Sequence, residues 1–262
     1  MKEITSRDNP LYKRLKALAG STHQQRRSAH ALLEGFHLAS AYLDAAGQPE
    51  TCVVTEGALR HAEAQAIVAR IDERHIVTLP DALFGQLSNV VNGVGLLLLV
   101  ERLDAPLPER VAHSCVVLDG VQDAGNVGSI LRSAAAAGIG DVFCGQGTAY
   151  AWSSKVLRSA MGAHFLLRIH EDVEPHTLIE RLDVPVAITD SHGAQPIYDC
   201  DLSGPIAWVF GNEGAGVSQA WRAAVTHRVT IPQPGGMESL NVAAAAAVCL
   251  FEQCRQQRGV AR

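Results

Sequence analysis

The chain has 262 residues, of which 47% are hydrophobic and 19% charged, with a formal net charge of −5. That balance excludes a disordered chain and gives an ordered protein long enough for two domains or one large one. No apolar run reaches membrane-spanning length, and Lys2, Glu3, Arg7 and Asp8 stand where a secretory signal would be apolar, so a cytoplasmic protein without membrane segments is expected.

In chain order, residues 1–30 carry seven basic side chains (Lys2, Arg7, Lys13, Arg14, Lys16, Arg26, Arg27) against Glu3 and Asp8, a local charge of +5 on a body of −10. A basic arm of this kind suits a phosphate backbone, because each cation that replaces a counterion adds salt-dependent affinity. Apolar runs at 52–55, 76–79 and 96–100 read as strands, with helical stretches around 36–46 and 59–71. Pro106 and Pro108 among mixed charges mark a linker over 106–112, dividing a small α/β domain, 1–105, from a second domain, 113–262. Beyond the linker, strands near 115–118, 142–144, 165–168, 186–189, 206–210 and 229–231 alternate largely with helices. That alternation predicts a parallel sheet covered on both faces. A helix over about 241–255 contains the alanine run 243–247. The six cysteines, Cys52, Cys115, Cys144, Cys200, Cys249 and Cys254, show no C-x-x-C spacing and read as reduced thiols, with no metal site.

Three loops concentrate the polar and glycine residues. Asp119-Gly120 opens the exit of the first strand after the linker and leads through Asn126 and Gly128 into a helix. Gly211-Asn212-Glu213-Gly214 follows the strand at 206–210, with Ser218 placed to cap the next helix. Ile231-Pro232-Gln233-Pro234-Gly235-Gly236 ends the last strand, and Ser239 is placed to cap the final helix, with Asn241 in its first turn. Glycine-rich or polar exits at three strand ends are expected where an α/β sheet binds a ligand.

Asn126-x-Gly128-x-x-x-Arg132, Gly211-Asn212-Glu213-Gly214, and Ile231-Pro232 with Ser239-Leu240-Asn241-Val242 resemble the three ordered motifs of the SpoU (TrmH-like) RNA ribose 2′-O-methyltransferases. Ile4-Thr5-Ser6-Arg7-Asp8-Asn9-Pro10 and Leu33-Glu34-Gly35 are similar to the start of members that carry a ribosomal-protein-like (L30e/L7Ae-like) RNA-binding domain before the catalytic one. The resemblance covers nearly the whole chain. It implies an α/β domain with a parallel sheet and a deep C-terminal trefoil knot, S-adenosylmethionine as cofactor, structured RNA as substrate and a homodimer in which Arg132 of one subunit could serve the cofactor loops of the other.

The resemblance also implies roles. Gly211, Ile231 and Leu240 would border the cofactor, and Arg132 would serve the attacking 2′-hydroxyl, either as base or by stabilising the developing alkoxide or gripping the adjacent phosphate. A guanidinium stays protonated at ordinary pH, which makes literal base catalysis the harder role. Asn126 would orient Arg132 or the ribose, Glu213 would fix that network or pair with Arg132, and Ser239 and Asn241 would position the phosphate and the helix start. Lys155 and Arg158 join Lys13, Arg14, Lys16, Arg26 and Arg27 as RNA-contact candidates. His164, His170, His192 and His227 fall outside the motifs and are not assigned to catalysis. The first loop, G-x-x-x-x-G-x-x-G, matches neither a dinucleotide fingerprint nor a P-loop, which argues against an oxidoreductase. The N-terminal resemblance favours ribosomal over transfer RNA; a transfer-RNA enzyme and a catalytically silent RNA-binding protein on the same fold are the alternatives.

Overall fold

The computed structural model describes residues 1–88, 93–190 and 194–260. His192 lies outside the described residues. Contacts divide the chain into two units, Met1–Leu103 with Trp152–Phe165, and Asp104–Ala151 with Leu166–Arg262.

The first unit runs β1 (Lys2–Glu3), α1 (Pro10–Gly20), α2 (Thr22–Arg27), β2 (His30–Glu34), α3 (Phe36–Ala45), β3 (Thr51–Thr55), α4 (Ala62–Val68), β4 (Ile76–Leu79), α5 (Asp81–Phe84) and β5 (Leu96–Glu101). Its sheet has the order β1-β4-β3-β5-β2, parallel across β1, β4 and β3 and antiparallel where β5 meets β3 and β2. Residues 1–30 are folded rather than a free arm. Asn9 Oδ1 accepts the Leu11 and Tyr12 N–H groups at 2.9 and 3.4 Å, Pro10 sets the first turn, and α1 then buries Tyr12, Leu15 and Leu18 against Val53, Val77, Leu97 and Leu99. Charge had masked an amphipathic helix there. Three of the basic side chains are partnered within the unit: Lys13 with Asp8 at 2.9 Å, Arg14 with Glu50, and Lys16 with the Gln86 carbonyl. Arg27 is exposed and makes no hydrogen bond or ion pair among the described residues.

The second unit runs β6 (Cys115–Asp119), α6 (Ala124–Ala136), β7 (Asp141–Gly145), then, past the insertion into the first unit with its helix α7 (Ser154–Ala160), β8 (Arg168–Val173), α8 (Pro175–Ile179), β9 (Val186–Thr189), β10 (Gln195–Pro196), β11 (Ala207–Gly211), α9 (Gln219–Ala224), β12 (His227–Thr230) and α10 (Val242–Val260). Its sheet is parallel throughout, in the order β10-β12-β9-β11-β6-β7-β8. The near-continuous apolar runs of β6, β7 and β11 are buried on both faces, as a covered parallel sheet requires. The strand expected at 165–168 is displaced to Arg168–Val173, and a 3-10 turn occupies Ala163–Phe165.

The stretch 104–112 is pinned rather than loose. Arg181 donates to the Leu107 and Pro108 carbonyls, Val111 pairs with Leu182, and Arg110 meets Asp183. Below it, Asp141 is buried at 1% exposure. Burial would raise its carboxyl, but hydrogen bonds from His170, Arg168 and His113 outweigh that and hold it well below the usual range. None of the six cysteines is in a disulfide, and burial pushes the Cys52, Cys115 and Cys249 thiols up to about 12.

Gln253 of α10 is 2% exposed. It accepts from the Trp208 indole N–H at 2.9 Å and donates to Ser114 Oγ and the Gly204 carbonyl, tying the C-terminal helix to the body of the sheet. Ala243, Ala245 and Ala246 are buried within this unit and pack its own core, while Phe251 is half-exposed.

Candidate active site

The site grows from two neighbouring strand ends. Gly211, last residue of β11, is in register with Asp119, last residue of β6, so the first two motif loops leave the sheet side by side. β9 lies between β11 and β12, so Ile231 exits one strand further on rather than next to Gly211.

Each exit is closed by its own polar groups. Asp119 Oδ2 accepts the Ser218 N–H at 2.6 Å, and Thr148 Oγ1 accepts the Gly120 N–H while donating to the Leu118 carbonyl. Asn212 Nδ2 donates to the Gly120 carbonyl at 2.9 Å, and its Oδ1 accepts the Gly214 and Ala215 N–H groups, both at 2.9 Å. Gly211 has no room for a side chain: an added Cβ would stand 2.4 Å from the Gly216 carbonyl carbon. Asp123 caps α6 by accepting the Asn126 N–H at 2.9 Å.

A side-chain chain then joins the three motifs. Asn126 Nδ2 donates to Glu213 Oε1 at 2.9 Å, and Asn126 Oδ1 accepts from Asn241 Nδ2 at 2.9 Å. Glu213 also accepts the backbone N–H groups of Gln122 and Asp123 at 3.3 and 3.4 Å. Burial would raise the Glu213 carboxyl, but the Asn126 amide and these backbone donors outweigh it and hold it below its ordinary value. Asn241 Oδ1 accepts the Ala243 and Ala244 N–H groups, so Asn241, not Ser239, caps α10, and the helix begins at Val242. Ser239 is exposed.

Arg132 stands six residues beyond Asn126 on α6, exposed and with no hydrogen bond or ion pair among the described residues. Glu213 is therefore engaged with Asn126 and backbone amides rather than with Arg132. Lys155 and Arg158 lie on α7, with the first unit. Asp119 and Asn212 were missed as network members although both stand in the motif segments. The signal was present, as each is a polar residue at the carboxyl end of a buried strand beside a glycine.

The third loop differs from the first two. Within 231–240 the Gly236 N–H donates to the Gln233 carbonyl at 3.3 Å, and Met237 and Leu240 are 72% and 39% exposed. Among the described residues Gln233 Oε1 is buried without a hydrogen-bond partner, and a Cβ on Gly235 or Gly236 would meet nothing within 4 Å. An orphaned acceptor beside exposed apolar side chains and open backbone fits a ligand with a flat apolar ring and a donor edge, such as the adenosyl group of S-adenosylmethionine.

A parallel sheet with polar loops knitted across its strand ends defines a ligand-binding α/β domain. The chain belongs to the SpoU rRNA Methylase family, whose model matches residues 113–251. It is 32% identical to an uncharacterized tRNA/rRNA methyltransferase of Synechocystis over 97% of this chain and 94% of that one. It is 28% identical to the 23S rRNA (uridine(2479)-2′-O)-methyltransferase of Streptomyces viridochromogenes, covering 98% of this chain and 93% of that one. Its fold is similar to the crystal structure of the SpoU methyltransferase AviRb from Streptomyces viridochromogenes in complex with AdoMet, with a TM-score of 0.85 at 26% identity over 95% of this chain and 98% of that one.

Proposed function

We propose that this protein is an S-adenosylmethionine-dependent RNA ribose 2′-O-methyltransferase acting on ribosomal RNA. The observation that carries the reading is the unbroken chain Glu213–Asn126–Asn241, which links all three family motifs, with Asn126 on the helix that also presents Arg132, unpartnered among the described residues. The 23S rRNA 2′-O-methyltransferase activity of the Streptomyces relative and the AdoMet bound in the similar AviRb structure support it.

Bound S-adenosylmethionine supplies an electrophilic methyl group. Gly211, Ile231, Gln233 and Leu240 would hold it, largely through backbone and apolar surface. Arg132 stabilises the negative charge that develops on the 2′-oxygen, and Asn126, locked by Glu213, keeps α6 and the Asn241 cap in one geometry while the ribose is positioned. Ser239 contacts the substrate phosphate.

The first unit is an RNA substrate-binding domain of ribosomal-protein type, with Lys13, Arg14, Lys16, Arg26 and Arg27, joined by Lys155 and Arg158, as its phosphate contacts; the surface ion pairs that hold some of them are weak enough to exchange for phosphate. The C-terminal segment is threaded as a trefoil knot, consistent with the burial of Gln253 between Trp208 and Ser114. The protein works in the cytoplasm as a homodimer. Support comes from half-exposed Phe251 on α10, which lines a groove of about 600 Å³ with Ala136, Gly138 and Cys254.

Mapping ribose methylation over total RNA with and without the gene tests the function. One ribosomal 2′-O-methyl group is expected to vanish; an unchanged ribosomal map would refute it. Mixing an Arg132→Ala chain with a Gly211-disrupted chain is expected to restore part of the activity if subunits share a site, and verified heterodimers without rescue would exclude sharing.

A further inference from the structure

Between α3 and α4 of the first unit lies an open cavity of about 340 Å³ lined by Phe36, His37, Ser40, Glu63, Ile67 and Arg70. No motif residue touches it. Ile67, 5% exposed, contributes buried apolar surface, and the Phe36 ring is tilted by 53° from His61 with centroids 6.3 Å apart. Arg70 donates to Asp44 and, at 3.3 Å, to Ser40 Oγ, which fixes the plane of its guanidinium. His37 Nε2 faces the Met161 carbonyl at 3.2 Å. A carbonyl can only accept, so Nε2 carries a proton, and in that tautomer of the neutral imidazole Nδ1 is the acceptor. Glu63 is exposed and makes no hydrogen bond or ion pair among the described residues.

The chemistry of this lining selects its ligand. A phosphate is disfavoured, because Glu63 is an uncompensated anion and Asp44 already neutralises Arg70. An aromatic ring, a fixed guanidinium plane and an apolar surface instead match a flat ring system, as in single-stranded RNA recognition, where unstacked bases lie on aromatic and arginine planes. The polar groups left to read the edge of such a ring are the Glu63 carboxylate and His37 Nδ1, which accept, and the Ser40 hydroxyl, whose O–H is left to donate to a ring carbonyl. Guanine presents two adjacent donors, N1–H and the N2 amino group, which one carboxylate can accept together, whereas uracil offers one N–H and adenine and cytosine one amino group.

We propose that this cavity binds an unstacked guanine base of the substrate RNA, with Glu63 reading its donor edge and Phe36 and Arg70 bracketing its plane. The proposal rests on the RNA-methyltransferase reading and gives the first unit a sequence preference separate from its phosphate contacts. A free guanine nucleotide carries the same ring, so the test has an arm for each source.

The full chain is titrated with fluorescein-labelled uridine decamers with and without one central guanosine, and separately with guanosine and uridine 5′-monophosphates while the backbone amides are followed by NMR. The guanosine decamer is expected to bind about tenfold tighter than the all-uridine one. Glu63→Gln, isosteric and exposed, should erase that preference while leaving all-uridine affinity within about twofold, and Phe36→Ala should weaken the guanosine decamer by about tenfold. Guanosine monophosphate should shift the Phe36, Glu63 and Arg70 amides and uridine monophosphate should not. Equal affinity for the two decamers, or a guanosine preference that survives Glu63→Gln, would overturn the proposal. A Glu63-dependent response to guanosine monophosphate without any decamer preference would overturn the RNA assignment in favour of a free nucleotide. Methyl transfer to ribosomal RNA by the wild-type chain, run in parallel, separates failure of this cavity from failure of the enzymatic reading.

Discussion

The first two motif loops and the third are built on opposite terms. Asp119, Asn212, Asn126 and Glu213 leave the strand exits closed by side chains bonded to backbone, with an Asn212 amide bridging one loop to the other. The 231–240 loop has prolines and glycines, exposed Met237 and Leu240, and a buried Gln233 oxygen with no partner among the described residues. The difference teaches how such a site would divide its labour on the proposed reading: the half that carries Asn126, Arg132 and the Gly211 edge of the cofactor cleft is organised before any ligand arrives, while the 231–240 half offers surface for the cofactor to complete.

Breaking the preorganised half should cost most. Asn126→Ala severs the chain between Glu213 and Asn241, and we expect methyl transfer to fall by about 10²–10³-fold while cofactor affinity changes little, measured by single-turnover kinetics beside calorimetry. A kcat within about twofold of wild type would remove Asn126 from the machinery. Gly211→Ala presses a Cβ to 2.4 Å from the Gly216 carbonyl carbon, so the second loop must move. Roughly 1–3 kcal/mol of stability and most cofactor affinity should be lost, read from urea unfolding and calorimetry.

Much of this division was legible beforehand, and the reasons it was incomplete are physical. Strand ends followed by glycine and a polar residue marked the Asp119 and Gly211 exits, because that chemistry is local to the sequence. Strand order is not local, and nothing in the period of 186–189 places β9 between β11 and β12. Ser239 looked like the better helix cap on composition alone, but Asn241 both caps the helix and reaches Asn126, so two interactions decided the start of α10. Helix α1 was hidden by its own charges, its Tyr12, Leu15 and Leu18 stripe being short and its first turn set by Asn9 and Pro10. The transfer of Trp152–Phe165 to the first unit has no local signature at all.

A smaller effect sharpens the comparison through pH. Glu213 has its carboxyl held below its ordinary value of 4.5, so its contribution to stability is complete above that value and is lost as pH falls through the lower folded value. The stability difference between wild type and Glu213→Gln should therefore be flat from neutral pH down to about 5 and shrink below it. Urea melts across that range check the sign, and a difference that grows on acidification would contradict it. Smallest of all, Arg27→Glu should weaken RNA binding modestly and lower its salt slope by about 1 without touching cofactor affinity, since Arg27 is exposed and leaves no partner unpaired. An unchanged slope would take Arg27 off the contact surface.

The division of labour is tested most directly by Arg132→Ala, assayed for S-adenosylmethionine affinity and for transfer of labelled methyl to ribosomal RNA with the same preparation. Cofactor binding within about threefold of wild type, with methyl transfer reduced at least about 10²-fold, is the result expected if Arg132 serves the 2′-oxygen. Loss of cofactor binding in step with activity, or retention of full transfer, would contradict it.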